Sequence, residues 1–160
     1  MKRNGFTLVE FLVYSGLLMV FTLIMTDIFF SVVDLRVETE ATGAVAQDGR
    51  YIAARLAYDI VRAQTIVTPA SLGQLTTTAQ ATISGSPVSY SLSGGDLIMT
   101  DSTGSAKLNS EATTVSGLSF RRVGNSGGKP TVQIFYTVSS KALQAKGTES
   151  QLFQTTVGLR

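Results

Sequence analysis

Hydrophobic and polar positions divide this chain into three zones. From Phe6 to Val33 nearly every residue is apolar, and Phe11 to Thr26 carries no charge. Only Glu10 and Asp27 interrupt that run. A bilayer core of about 30 Å asks for roughly 20 residues of helix, which this zone supplies. From Asp34 to Gln64 charged and small residues alternate without proline. Val45, Ile52, Leu56, Ile60 and Ala63 step by seven, four, four and three, the spacing of one helical stripe. The pattern therefore predicts one helix running from the apolar zone into an amphipathic one. Thr68-Pro69 is expected to stop it, because proline cannot continue a helix and pushes its predecessor out of helical geometry.

After Pro69 the period changes to two. Ala79 to Ile83 is a weak strand candidate. Val88 to Leu92 and Leu97 to Met99 flank Ser93-Gly94-Gly95-Asp96, which reads as a tight hairpin. Asp101-Ser102-Thr103-Gly104 has the Asp and Gly ends that a type I turn prefers. Val115 to Val123, Val132 to Val138 and Leu152 to Leu159 are β-rich runs. The short links between them, at 124–129 and 141–147, imply an antiparallel meander. The expected class is α+β, with four or five strands packing one apolar face on the stripe of the long helix.

Charge sets the orientation of the apolar zone. Lys2 and Arg3 precede it, while Asp34, Arg36, Glu38 and Glu40 follow it with a net negative balance. The positive-inside rule then keeps the N-terminus in the cytoplasm and puts residues after Val33 outside. A removable secretory signal would need an A-x-A-like site near Thr26 to Val33, and none is there. A plain signal anchor explains everything except Glu10. A carboxylate in the first turn of a membrane helix is costly, and it calls for a cationic partner.

Gly5-Phe6-Thr7-Leu8-Val9-Glu10, after a short basic leader and before a long apolar helix, resembles the processing motif of type IV prepilins and pseudopilins. The resemblance implies cleavage between Gly5 and Phe6 by a membrane prepilin peptidase, then N-methylation of Phe6. It also implies assembly through Glu10, which answers the new Phe6 amine of a neighbouring subunit. The physics agrees. Gly5 lets a peptidase approach the backbone. Phe6 and Glu10 are four apart and share a helix face. Glu10 also lies at the positive end of the helix dipole. The implied division is a leader at 1–5, a transmembrane and filament-core helix at 6–33, its amphipathic continuation at 34–67, and an antiparallel β domain outside the membrane at 68–160. Arg50 to Ile60 resembles the matching helix of minor pseudopilins more softly.

The remaining features adjust this picture. Asp27 reads either as a contact to a neighbouring subunit or as a group solvated at the membrane surface. Gly16 is the one soft spot within the apolar run, and Gly43 and Gly49 mark a flexible joint beyond it. Asp48 with Arg55, and Asp59 with Arg62, are weak candidate ion pairs. With neither Cys nor His, the chain has no thiol chemistry and lacks the commonest general base. Asp96 and Asp101 are read as turn residues rather than calcium ligands, though some pseudopilins bind calcium in this region. Gly124 to Lys129 lacks the order of a phosphate loop and is read as a hairpin link. Arg121, Arg122 and Lys129 are read as charges guarding a strand edge, and nucleic acid is not an expected partner.

The reading is a structural subunit, not an enzyme, with no cofactor and no metal. It is a minor pilin or pseudopilin of a type IV pilus, competence pilus or type II secretion system. Its expected partners are the prepilin peptidase, other pilin subunits, the assembly platform of the cytoplasmic membrane, and lipid. It would begin as a single-pass membrane protein and end in an extracellular or periplasmic filament. The alternative is a membrane-anchored β domain serving as an adhesin or DNA receptor.

Overall fold

The computed structural model describes residues 7–144 and 146–160. One helix, α1 (Leu8–Arg62), runs for 55 residues without a break. At 1.5 Å per residue that is roughly 80 Å. Thr7 opens it in extended geometry, and its hydroxyl accepts from the Glu10 amide at 3.2 Å. This is the Thr-x-x-Glu order of a helix start. Every residue from Thr7 to Arg36 is exposed. This lower half is long and apolar enough to cross a membrane.

The upper half buries one stripe: Ala41, Val45, Asp48, Gly49, Ile52, Leu56, Asp59 and Ile60. Four of the five periodic residues expected from the sequence, Val45, Ile52, Leu56 and Ile60, are here, joined by Ala41, two carboxylates and a glycine; the fifth, Ala63, is buried just past the helix end. The helix stops at Arg62, earlier than the expected boundary at 67. Ala63 turns to extended geometry as its cap, and Gln64 and Ile66 already belong to sheet packing. Pro69 therefore closes a strand rather than the helix.

The strands are β1 (Thr65–Thr68), β2 (Leu75–Thr76), β3 (Ala79–Ile83), β4 (Ser86–Ser93), β5 (Asp96–Asp101), β6 (Gly104–Lys107), β7 (Thr113–Val123), β8 (Thr131–Ser140) and β9 (Ser150–Gly158). They form two antiparallel sheets where the sequence pattern suggested one. The first has the order β1-β3-β4-β5-β6 and the second β2-β7-β8-β9. The β4–β5 hairpin turns at Gly94-Gly95, both at positive φ, the geometry that suits the twist of a two-residue hairpin. At the β5–β6 turn the Asp101 carboxylate accepts from the amides of Thr103 and Gly104, the locking that makes Asp a turn former. A bulge interrupts the β7–β8 register between Ser116 and Ser119, where Gly117 takes φ 61°.

One core joins helix and sheets. Val45, Ile52, Leu56 and Ile60 meet Tyr90, Leu97 and Met99 of the first sheet. They also meet Val115, Phe120, Ile134, Tyr136 and Val138 of the second. Along β8 buried and half-buried residues alternate strictly, as a strand with one face on a core must.

Candidate functional site

Two carboxylates mark the exposed half of α1. Glu10 stands in the first turn, where the free backbone N–H groups favour negative charge. Its side chain has no partner among the described residues. The residues expected to complete its role, Gly5 and Phe6, lie outside the described residues. Asp27 is seventeen residues further along, roughly 25 Å by helical rise. The two acids are thus held apart by the helix and form separate features. Asp27 lies about one hydrocarbon thickness from the start of α1. Its carboxylate is exposed and likewise unpaired among the described residues.

Hydroxyl side chains on the apolar half turn inward to the helix. Thr22 donates to the Leu18 carbonyl at 2.8 Å, Thr26 to Thr22 at 2.8 Å and Ser31 to Asp27 at 2.9 Å. Each satisfies its own polarity within the element, which suits a helix in lipid. Beyond them, Arg36 pairs with Glu40 at 2.9 Å on the exposed surface. Lys146, in the β8–β9 loop, reaches Glu38 at 3.2 Å and braces the stem against the domain.

The upper half holds its carboxylates very differently. Asp48 does not pair with Arg55. It accepts from the Ser110 amide at 2.9 Å and from the hydroxyls of Ser110 and Thr113. Burial opposes its ionisation, but the hydrogen bonds from Thr113 and Ser110 outweigh that and hold its carboxyl below the ordinary aspartate range. Asp59 pairs with Arg55 at 2.8 Å, four residues back, rather than with Arg62. It also accepts the hydroxyl of Tyr90. Burial first, and that bond second, push the Tyr90 hydroxyl far above the ordinary phenol value. These two acids dock the helix to the sheets and are engaged within the chain.

Gly49 is not a joint. Any side chain at this position would collide with the Phe153 ring. That ring stacks on Tyr136 at 5.5 Å between centroids, and Tyr136 donates its hydroxyl to the Gly49 carbonyl at 2.8 Å. The absent side chain lets the helix lie directly on β8 and β9. Burial pushes the Tyr136 hydroxyl up to about 12.

Asp96 meets Lys107 at 3.0 Å, and Lys107 also meets Glu111 at 2.9 Å. The Lys107 ammonium, then the Asn109 amide, hold the Asp96 carboxyl below its usual value. Asp101 is occupied by its own turn. Among the described residues no group of three or more His, Cys, Asp or Glu side chains is arranged to hold a metal ion. Arg122 donates to the Ala70 carbonyl at 2.6 Å, tying the loop after β1 to β7.

The arrangement offers no assembled catalytic cluster among the described residues. What remains is an exposed apolar stem with two acids unpaired among the described residues, joined without interruption to a packed β domain. Comparisons with family models, with curated proteins and with solved structures each found no match to this chain.

Proposed function

We propose that this chain is a structural subunit of a type IV pilin-like filament, a minor pilin or pseudopilin rather than an enzyme. The observation that carries the reading is the division of a single helix. Its first half is apolar on every side and every described residue from Thr7 to Arg36 is exposed, while its second half is the spine of a β domain. Such a stem must be covered by lipid or by other stems, because exposed apolar area on this scale is not stable in water. Glu10, seated in the first turn and four residues after Phe6 in the sequence, adds the second support. Cleavage of the Gly5-Phe6 bond creates an ammonium that answers the carboxylate, within the subunit or in its neighbour.

In this reading the N-terminus starts in the cytoplasm and the β domain lies outside the membrane. Prepilin peptidase removes residues 1–5 and Phe6 is N-methylated. The assembly platform then lifts the stem from lipid into a bundle of stems. Intact mass of the chain isolated from its native host tests this. The expected species lacks residues 1–5 and carries one added methyl group on Phe6. A chain retaining Met1 to Gly5 would leave an anchored β domain instead.

A further inference from the structure

We infer that the solvent face of α1 beside the β domain receives the stem of a second copy of this chain, seating Asp27 of that copy on Arg50. The inference rests on the filament reading above and names the subunit contact within it.

The receiving face consists of Arg50, Tyr51, Ala54 and Tyr58. It lies on the side of the helix away from the core. Tyr51 and Tyr58 are 53% and 54% exposed, and tyrosine is among the side chains enriched at protein interfaces. Arg50 is exposed and its side chain has no partner among the described residues. Arg62 extends the strip, with its guanidinium 4.8 Å from the centre of the Tyr58 ring.

The docking face consists of Asp27, Ile28, Ser31 and Leu35. Ile28 and Leu35 are 51% and 67% exposed. The Ser31 hydroxyl is spent on the Asp27 carbonyl, so it presents a small, nearly apolar surface.

The two faces share one spacing. Asp27 and Arg50, Ile28 and Tyr51, Ser31 and Ala54, and Leu35 and Tyr58 are each separated by 23 residues. A parallel stagger of that length sets an unpaired acid on an unpaired base. It places an aliphatic side chain on a tyrosine twice, seven residues apart. Between those contacts it sets small on small, where two helices approach closest. A charge match of this kind fixes register more than it adds affinity.

The geometry also closes on a definite assembly. Twenty-three residues of helix advance roughly 35 Å and turn through about 140°. The two faces therefore look to nearly opposite sides of α1. Copies joined through them differ by a rise of about 35 Å and a rotation of about 40°. Such a head-to-tail contact is heterologous, and with a rise it builds an open filament rather than a closed ring. The rise exceeds the hydrocarbon thickness of about 30 Å. Two copies standing level in one bilayer cannot make the contact. A copy lifted out of the membrane can.

The absence of native cysteine makes the test clean. One tagged copy carries Asp27→Cys and a second, differently tagged, carries Arg50→Cys, both full length in the native host. Sheared filaments and the membrane fraction are oxidised separately with copper–phenanthroline. The expected result is a disulfide-linked pair of the two tagged chains in filaments, at least about tenfold above the membrane fraction. A companion set reverses charge. Arg50→Asp alone is expected to lower the chain's recovery in filaments about tenfold, and Arg50→Asp with Asp27→Arg to restore most of it. Correctly processed chain in filaments without the 27–50 link overturns the inference and leaves the filament reading standing. So does a link from the Arg50→Cys copy to a different protein. A chain that keeps residues 1–5 and enters no filament overturns both.

Discussion

The lower and upper halves of α1 are one continuous helix with opposite relations to their surroundings. Between Leu8 and Arg36 every residue is exposed. Between Ala41 and Ile60 a full stripe is sealed, carboxylates included. Acids show the contrast best. Glu10 and Asp27 stand open in an apolar surface, and Asp48 and Asp59 are saturated by Ser110, Thr113, Arg55 and Tyr90 inside a core. A buried acid with its hydrogen bonds complete is structural, since its partners already compensate its desolvation. An open acid on a surface that must itself be covered is a group that no described residue answers.

The comparison can be broken at either half. Deleting residues 1–33 should have the largest effect. It removes a stem whose transfer from lipid to water costs on the order of tens of kcal/mol, so the remaining chain should leave the membrane for the soluble fraction. Its β domain should unfold at the same temperature as in the full chain. A large loss of stability on truncation would mean that the stem supports the domain. Next comes Asp48→Ala, which strands the Ser110 amide and two hydroxyls. It should cost about 2–4 kcal/mol in denaturant unfolding, whereas Asp27→Ala should cost nothing measurable in the domain. Equal effects would abolish the distinction between the acids. Gly49→Ala should cost about 1–3 kcal/mol by forcing Phe153 off Tyr136. Gly43→Ala, with open space around it, should leave the domain unchanged or slightly stabilised.

Acid should sharpen the same contrast more gently. The Asp48 carboxyl titrates below its usual 3.8 in the folded chain. As pH falls, the unfolded chain takes up that proton first. The contribution of Asp48 is thus complete at neutral pH and erodes below about pH 4. A thermal midpoint flat from pH 7 to 5 and falling below 4 is expected, with the fall reduced in Asp48→Asn. The smallest effect belongs to Arg36→Ala. Its exposed pair with Glu40 should contribute under about 0.5 kcal/mol, and less in high salt.

Much of this was legible from local pattern. The apolar run needed only composition. The stripe of Val45, Ile52, Leu56 and Ile60 follows from helical period. Gly94-Gly95 and Asp101 announced their turns through backbone preference. What escaped were relations between distant residues. Asp48 reads as a weak ion-pair candidate with Arg55 because Ser110 and Thr113 lie more than sixty residues away. Gly49 looked like a joint because Phe153 is remote in sequence. The split into two sheets, and the strand at Thr65–Thr68, depend on which strands pair, and alternation along one strand does not encode its partner. Glu10 was conspicuous for the opposite reason: nothing nearby in the sequence accounted for it.

An unjointed rod of this length behaves as a shaft. With hydrogen bonds continuous from the Thr7 carbonyl to the last turn at Arg62, a pull or a twist on the β domain runs to the first turn along a single element. The angular position of Glu10 is consequently linked to the orientation of a head that begins roughly 45 Å away, at Ala41. Load applied at the tip would be felt at the root, with no elbow in between to absorb it.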